Sequence, residues 1–600
     1  MKKFLLSVAA ALLTALPTFA AKANSTPFSV KQADGTMLTV VLHGDENFHW
    51  YSTLDGVVLA RQDGSFFVAD IKSDGSVVPT KFLAHNSDGR TAAEAALAKA
   101  QPLANFNSSE AVARRAAMRV QNVSRASSDY LQHTGSPTVL VILAEFQDKK
   151  FSMNDPVASF EQYFNGDTQK DLGQGQDRNY GSVRKYFTDM SGGKFTPKFK
   201  VVGPVTVPEN MAYYGANNDA RYTQFVTDAC LKASMVSSFD DPELDSDNNG
   251  TVDLVAVIYA GFGENNGADS NTLWAKTAIR SFGTFNGKSV RTAMMVSELN
   301  MSEQYIGGGT YYDVPRINGV GVFCHEMTHG MGFPDLYSTT SPADVQDNQE
   351  MEYWSLMDGG EYVYNGYMPT AYTAFEREVM GWSESEALSD GQSYTLQPSG
   401  PEVAALRYDN PNKPSSRASD YLLFENIQNR GWNGKLPGHG LIAYRVSLKS
   451  NYLTMGSPLN NVVGDPGVSI VPADGRLMNA ANRESTAHYK KELAGDLFPG
   501  TQKVTALTSS QNLPNFPWRV EPKENKMGLY DIAEDTSTGE VSFRFVADTS
   551  TPTGINVTPA VSEDGMVGSR VFSVDGRCLG TDCSSLPKGI YIIGGKKLVK

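Results

Sequence analysis

Short runs in which apolar and polar residues alternate dominate the chain between residues 26 and 81. Met37–Leu42 and Ser65–Val68 are two such runs, and Asp-Gly pairs punctuate the region at 34–35, 55–56, 63–64 and 74–75. Asp-Gly between alternating runs favours tight hairpins, because these turns need residues that tolerate positive φ. The pattern therefore predicts an N-terminal β-rich module, followed by an Ala-rich helix over Thr91–Ala100.

The pattern changes after Pro137. Val139–Ala144 and Leu254–Tyr259 are continuous apolar runs typical of buried strands, and Ile317–Met331 has helical spacing. Alternating runs return after about residue 389, and a Thr/Ser/Pro-rich segment at 548–553 precedes a last short stretch. The sequence predicts a multidomain α+β protein, with a mixed domain over 134–385, a β-sandwich over 386–547 and a small β module over 554–600.

The first residues have the features of a secretory signal peptide. Lys2 and Lys3 precede the apolar stretch Phe4–Leu16, which is shorter than the roughly 20 residues that a membrane span needs. Ala21-Lys22-Ala23 is a small-x-small cleavage motif, and cleavage after Ala20 is a second option. We expect residues 1–23 to be removed and the protein to be secreted, with no transmembrane segment.

The amino-acid composition limits the kinds of molecule that the protein is expected to bind. The 600 residues contain 52 Lys and Arg against 66 Asp and Glu, a net charge of −14 that opposes binding to nucleic acids. Four cysteines are too few for a disulfide scaffold. Cys578 and Cys583 could form one pair in an oxidising compartment, and the sequence leaves that pairing open.

A metal-ligand motif stands within the predicted helix around residue 325. His325 and His329 are four residues apart, so both imidazoles can reach one ion, and Glu326 can act as a general base without being a ligand. Gly332 can adopt positive φ and end the helix, so that Asp335 returns as the third ligand. The extended spacing predicts a catalytic zinc site formed by His325, His329 and Asp335.

A second motif follows at Trp354–Gly360. Met357 in a turn that ends in two glycines resembles the Met-turn beneath the zinc of metzincin peptidases. The metzincin pattern has His as its third ligand, whereas Asp335 stands here and reduces the positive charge of the centre. A downstream ligand, Glu352 or Glu361, is the competing geometry. No oxyanion stabiliser is evident, with Tyr362 and Tyr337 as weak candidates.

These motifs identify a family resemblance. The chain from about Pro137 to Val446 resembles the immune inhibitor A family of secreted bacterial zinc metallopeptidases. The matching segments are Gly321–Glu326, Pro334–Tyr337, Trp354–Met357, Gly381–Trp382, Leu422–Asn426 and Leu436–Ile442. The resemblance implies a metzincin-like zinc endopeptidase that acts on proteins or peptides, and calcium as a structural ion. The N-terminal region is similar to the propeptide of that family.

A calcium site is also suggested by the residues themselves. Oxygen-bearing side chains recur at alternate positions around Gly250, namely Asp245, Asp247, Asn249 and Asp253. Such spacing is typical of loops that wrap a calcium ion, although Ala256 stands where an EF-hand has its Glu. An exposed Asx-rich turn that binds no ion is the alternative.

Two flanking regions have expected roles in maturation. Residues 24–125 are predicted to form an inhibitory propeptide, cleaved in a basic linker that contains Arg114, Arg115, Arg119 and Arg125. Asp45 is the candidate group that enters the active site, and a role in folding alone is the alternative.

Residues 554–600 resemble the C-terminal sorting domains of type IX secretion, which implies a secretion machinery as a partner; a plain β appendage is the alternative.

The predicted function is therefore a secreted, zinc-dependent endopeptidase made as a zymogen, with Glu326 as general base. Two other functions stay open at this stage. The first is a surface adhesin or glycan-binding protein on a vestigial peptidase scaffold, and the second is an amidase that acts on peptidoglycan. Glu326 argues against a vestigial scaffold, because an inactive site has no need of the base.

Overall fold

The computed structural model describes most of the chain. The described residues are 18–46, 48–118, 129–166, 179–300, 305–306, 310–311, 317–339, 350–462, 464–477 and 486–550, with 571–573, 577–580, 586, 589–593 and 596–599 of the last module. The predicted signal sequence up to residue 17, Arg119, Arg125 and Cys583 lie outside these ranges. Within them the protein is a multidomain α+β structure with several separate sheets.

The N-terminal module is a six-stranded antiparallel meander in which each strand pairs with the next. After a short β1 (Thr18–Ala20), which joins another sheet, its strands are β2 (Phe28–Lys31), β3 (Met37–Gly44), β4 (His49–Thr53), β5 (Val58–Gln62), β6 (Ser65–Ile71) and β7 (Val77–Leu83). The glycine of each predicted Asp-Gly turn has positive φ, as expected. Helices α1 (Ala92–Lys99) and α2 (Ser109–Met118) follow, so the first part of the predicted basic linker is helical.

The second domain is built on a seven-stranded mixed sheet. Its further strands are β8 (Thr138–Glu145), β9 (Lys198–Thr206), β10 (Thr251–Val252), β11 (Val255–Phe262), β12 (Lys276–Phe285) and β13 (Lys288–Leu299). The order is β1-β12-β13-β11-β8-β9, with β10 beside β13. Strands β9, β8, β11 and β13 are parallel, while β12 runs antiparallel to β13 and pairs with β1 on its other edge.

Helices cover both faces of this sheet. They are α3 (Pro156–Asn165), α4 (Val183–Ser191), α5 (Met211–Asp219), α6 (Tyr222–Ala233), α7 (Val320–Gly330) and α8 (Ala374–Val379). Helix α6 contributes Phe225 and Cys230 to the core on one face, and α7 contributes Phe323, Cys324 and Met327 to the core on the other. A short hairpin of β14 (Tyr305–Ile306) and β15 (Thr310–Tyr311) precedes α7.

Two further sheets form the third domain. Their strands are β16 (Glu386–Ala387), β17 (Ser393–Leu396), β18 (Leu406–Asp409), β19 (Ser419–Ile427), β20 (Gly440–Leu448), β21 (Val468–Ile470), β22 (Leu507–Thr508), β23 (Gly528–Asp535) and β24 (Glu540–Val546), with α9 (Thr486–Leu493) inserted. One sheet has the order β16-β18-β19-β20-β21 and the other β17-β24-β23-β22. Side chains alternate along β19: Leu422 and Phe424 pack against the second sheet, whereas Leu423 joins the core of the α7 domain.

The last module is a four-stranded antiparallel sheet. It contains β25 (Val571–Ser573), β26 (Cys578–Gly580), β27 (Ile590–Ile593) and β28 (Lys596–Val599), in the order β26-β25-β27-β28. Across the described residues of the whole chain, every helix is too short or too polar to cross a membrane.

Candidate active site

Helix α7 and the turn after it position the predicted metal ligands. Every residue of Val320–Gly330 is buried, and His325 and His329 lie one turn apart with ring centroids 4.7 Å from each other. The chain then reverses at Gly332, whose φ is 95°. A Cβ at this position would stand 3.2 Å from the ring of Tyr130, so glycine meets both a conformational and a steric need. The reversal returns Asp335 to the face of the helix that carries both histidines.

Three potential ligand atoms converge at this point. The Nε2 atoms of His325 and His329 are 3.1 Å apart, and Asp335 Oδ1 lies 3.4 Å and 3.1 Å from them, respectively. Three ligands of a tetrahedral ion with bonds of about 2.0–2.1 Å would be separated by about 3.3 Å. Two nitrogens and one carboxylate oxygen are a ligand set that zinc accepts. The described residues therefore fit a zinc ion in both spacing and chemistry.

Backbone carbonyls fix both imidazoles in the required orientation. His325 Nδ1 lies 3.0 Å from the carbonyl oxygen of Leu356, and His329 Nδ1 lies 2.8 Å from that of Phe333. A carbonyl oxygen can only accept, so each Nδ1 must carry a proton. In the neutral ring, the lone pair is then on Nε2, which faces the other two ligand atoms.

The turn around Met357 is hydrogen-bonded to two parts of the ligand cluster. Its sulfur-bearing side chain is fully buried. The Leu356 carbonyl contacts His325, and the Met357 carbonyl accepts a 2.8 Å hydrogen bond from the backbone N–H of Leu336, which follows Asp335. One turn thus positions the helix-borne ligands and the loop-borne ligand relative to each other.

The two alternative carboxylate ligands are not among the three converging atoms. Glu352 groups with Glu350 and Asp358, apart from the two histidines. Glu361 is fully buried with Oε2 3.8 Å from His325 Nδ1, the nitrogen on the far side of the ring from the ligand atoms, and no described residue donates a hydrogen bond to it. Burial, reinforced by nearby carboxylates, raises the pKa of Glu361 well above its ordinary value.

Charge is strongly coupled within the ligand cluster. Burial opposes ionisation of Asp335, but attraction to His329 and hydrogen bonding with both imidazoles lower the pKa of this carboxyl to about 2. Burial likewise opposes protonation of His329, but the Asp335 carboxylate raises the pKa of this imidazole to about 9. The cluster therefore attracts positive charge, which suits a cation-binding site.

Glu326 lies next to the cluster with both carboxylate oxygens engaged. Oε2 accepts a 2.7 Å hydrogen bond from Thr277 Oγ1 on β12, and Oε1 accepts a 2.6 Å hydrogen bond from the backbone N–H of Ala21. Burial raises the pKa of Glu326, against the lowering effect of the two nearby histidines. The sequence gives no signal for Thr277, because a strand 49 residues upstream brings it to this position.

The segment 18–24 lies as an extended peptide in a cleft formed by β12, Trp274, Glu326 and Tyr362. Strand β1 pairs antiparallel with the exposed edge of β12, with residue 19 opposite Thr277. Beyond β1, the carbonyl of Ala21 accepts a 2.7 Å hydrogen bond from Trp274 Nε1, and the carbonyl of Lys22 accepts one of 2.6 Å from the Tyr362 hydroxyl. The backbone carbonyls of these two consecutive residues thus accept hydrogen bonds from side chains of the cleft, as those of a bound peptide do. The sequence offers no indication of this placement, since these residues have the features of a signal peptide.

Asp45 lies outside the three-residue ligand cluster. Its Oδ1 accepts a 3.0 Å hydrogen bond from the backbone N–H of Phe48 and so closes its own turn. The N-terminal module nevertheless contacts the cleft nearby. The backbone N–H of Ala23 donates to the Gly44 carbonyl at 2.8 Å, and the ring of His49 packs at a tilt against that of Trp274, with centroids 4.8 Å apart.

The predicted calcium loop brings part of its ligand set together. Ligand atoms of Asp245, Asp247 and Asp253 lie within 4.8 Å of one another. The Asn249 side chain instead joins its neighbours, because its amide nitrogen donates to Asp247 Oδ2 at 2.8 Å and its oxygen accepts from the Thr251 N–H at 2.8 Å. Lys288 Nζ lies 2.6 Å from Asp245 Oδ2, so a cationic side chain already neutralises one carboxylate.

Comparison with known proteins confirms the family resemblance over the middle of the chain. Residues 127–386 match the family described as immune inhibitor A peptidase M6, catalytic domain. The chain is 24% identical over 278 residues to Immune inhibitor A of Bacillus thuringiensis subsp. alesti, a match that covers 40% of this chain and 39% of that protein. It is 22% identical over 256 residues to the Pre-pro-metalloprotease PrtV of Vibrio cholerae serotype O1 (strain M66-2), covering 35% and 25% of the two chains. The chain thus spans well under half the length of either relative.

Proposed function

We propose that this protein is a secreted, metzincin-like zinc endopeptidase that hydrolyses peptide bonds in proteins. The match of residues 127–386 to a peptidase catalytic domain supports the class of reaction. The convergence of His325 Nε2, His329 Nε2 and Asp335 Oδ1 beside Glu326 is the observation that carries the proposal. His325, His329 and Asp335 would hold the metal, and Met357 would support them from below.

Each polar group of the cleft has a role in the proposed reaction. When bound, zinc would polarise the scissile carbonyl and acidify the attacking water. Glu326 takes a proton from that water and delivers it to the leaving amine, and its raised pKa suits a group that must both accept and release a proton. Thr277 holds the carboxylate of Glu326 in place through its hydroxyl.

The contacts of the segment 18–24 suggest how a substrate backbone is aligned. Ala21 N lies 2.6 Å from Glu326 Oε1, where the leaving nitrogen should be, so the Ala20–Ala21 bond marks the position of the scissile bond. Trp274 and Tyr362 then bind the carbonyls of the two residues that follow. We therefore assign Tyr362 to substrate alignment.

We further propose that the N-terminal module restrains the enzyme before maturation. Its contacts with Trp274 and with the segment in the cleft support a covering role. Asp45 closes its own turn, so we assign the inhibitory role to the module's contact with Trp274 and not to that carboxylate. The proposal also includes secretion of the protein, a calcium ion bound at 245–253 and recognition of the C-terminal module by a secretion machinery.

A digestion assay with matched substrates tests the proposed function. The secreted protein should cleave casein, lose that activity on treatment with a zinc chelator and regain it when zinc is restored. Intact cell wall should release no amino sugars or peptides under the same conditions. Release from cell wall alone would favour an amidase, and activity on neither substrate by a zinc-loaded protein would favour an adhesin on a vestigial scaffold.

A further inference from the structure

A pocket with three carboxylates opens beside the cleft, outside the zinc cluster. Glu352 and Asp358 are fully buried and Glu350 is largely buried, and their ligand atoms lie within 4.8 Å of one another. Burial together with the like charges of its neighbours raises the pKa of Glu352 to about 8. Such a concentration of buried acid is costly unless a cation faces it.

The chain itself places a cation there. Lys22 Nζ lies 3.0 Å from Glu350 Oε2 and 2.8 Å from Asp358 Oδ1, and it stands 5.4 Å above the ring centre of Tyr337. The aliphatic part of the side chain is enclosed as well, since only 15% of the Lys22 side chain is exposed. The segment that carries Lys22 lies along the cleft with its backbone bonded as a substrate's would be. The lysine therefore occupies the pocket as a side chain of a cleft-bound peptide.

One wall of the pocket retains unused hydrogen-bonding capacity. Glu352 Oε2 accepts a hydrogen bond from the Tyr489 hydroxyl, whereas no described residue donates one to the buried Oε1. Glu352, Tyr353 and Tyr489 also line a small cavity that continues from Lys22. A guanidinium group has more donors than an ammonium and could reach this oxygen.

We propose that Glu350, Glu352 and Asp358 form a substrate subsite that binds a lysine or arginine side chain at the second residue after the cleaved bond. The position follows from the contact of Glu326 with Ala21 N, which makes Ala21 the first residue after that bond and Lys22 the second. This inference rests on the proposed endopeptidase function. Lys22 satisfies the pocket in the present structure, and a substrate would replace it.

Peptides that differ at a single residue test the subsite. Four peptides of equal length should carry Lys, Arg, norleucine or Glu at the second position after the cleaved bond, with the cleavage position verified by mass spectrometry. The secreted zinc-loaded protein should cleave the Lys and Arg peptides with a kcat/KM about 30-fold or more above that of the norleucine peptide, as expected for a buried charge pair. The Glu peptide should be cleaved least.

A paired variant locates the source of the preference. In Glu350→Gln/Asp358→Asn the ratio of kcat/KM for the Lys and norleucine peptides should fall to within about threefold of one, since these two carboxylates contact Lys22 Nζ and their amides keep the shape but not the charge. Glu386→Gln, an exposed position on β16 away from the cleft, is the matched control and should keep the wild-type ratio. Because the ratio is taken within one protein, it is insensitive to a loss of active enzyme.

The possible outcomes distinguish a failure of the subsite proposal from a failure of the proposed endopeptidase function. Equal cleavage of all four peptides by the wild type, a preference for Lys at another position, or an unchanged ratio in the paired variant would each overturn the subsite and leave the endopeptidase function standing. Failure of the wild type to cleave any peptide or casein would instead overturn the proposed function, and the subsite with it.

Discussion

The cluster on α7 and the loop at 245–253 each bring the ligand atoms of three potential metal-binding side chains within 4.8 Å of one another. The two sites differ in which atoms of these side chains the rest of the protein contacts. In the buried cluster, the backbone engages the far side of each imidazole and leaves the Nε2 atoms facing Asp335. In the loop, the chain engages the carboxylates themselves, because backbone N–H groups of Asn249 and Gly250 donate to Asp245 and Lys288 pairs with it. Both sites offer three ligands. They differ in how far hydrogen bonds and ion pairs within the protein already involve the ligand atoms.

This contrast predicts which of the two sites binds a cation more readily. A set of ligand atoms preorganised by outer hydrogen bonds binds a cation without first breaking contacts within the protein. An ion at the loop must instead displace the Lys288 ammonium and rearrange Asn249. We therefore expect large effects from changes near α7 and small effects from changes in the loop.

The largest effect should come from Glu326→Ala. Glu326 is not one of the three converging ligands, so the variant should keep its zinc and its fold. Loss of a general base typically costs a factor of about 10²–10⁴ in rate. Peptide hydrolysis and zinc content should be measured on the same sample. Retention of more than about a tenth of the wild-type rate would exclude Glu326 as the base.

Metal content should separate Asp335 from the two competing glutamates. Asp335→Ala should lose most of its zinc during dialysis, because one of three protein ligands is gone. Glu352→Ala and Glu361→Ala should keep theirs, since Glu352 lies in the acidic pocket and Glu361 faces the far nitrogen of His325. Elemental analysis of the three dialysed variants is the measurement. Zinc loss confined to either glutamate variant would assign the third ligand to that residue.

The sequence predicted the local features of this site better than its surroundings. The spacing from His325 to Asp335 encodes a helix, a glycine reversal and a returning loop, all within eleven residues, so local rules suffice. The hairpins of the N-terminal module follow for the same reason. Thr277 and Trp274 reach the cleft only through the pairing of distant strands, and a single sequence carries no signal for such contacts.

The segment 18–24 illustrates a different limit. Its composition fits a signal peptide, and composition alone does not reveal that an extended backbone can complete the edge of β12. The acidic pocket has no local signal either, because the sequence marks only Glu352 as a possible zinc ligand and nothing in it connects this residue with Glu350 and Asp358. Their shared role requires the three-dimensional position of Lys22.

A moderate effect is expected from blocking maturation. A full-length variant with Arg114, Arg115, Arg119 and Arg125 changed to Ala should stay uncleaved in the linker and hydrolyse peptides about tenfold more slowly than the mature enzyme, because the N-terminal module still contacts the cleft at Trp274. Gel mobility and initial rates on a short peptide provide the measurement. If the uncleaved protein acts at the mature rate, the module assists folding alone and does not inhibit.

The smallest effect should be the response of the 245–253 loop to calcium. Binding stabilises the folded state by RT ln(1 + [L]/Kd), so a weak site at a tenfold excess of calcium contributes only about 1.4 kcal/mol. Calcium should raise the Tm of the wild type slightly and that of Asp245→Ala/Asp247→Ala not at all. Lys288→Met should show a larger rise than the wild type, because calcium no longer competes with the ammonium 2.6 Å from Asp245. Differential scanning calorimetry with calcium or magnesium is the measurement. Equal shifts in all three proteins would place the calcium site elsewhere, and no shift in any of them would mean that the loop binds no calcium.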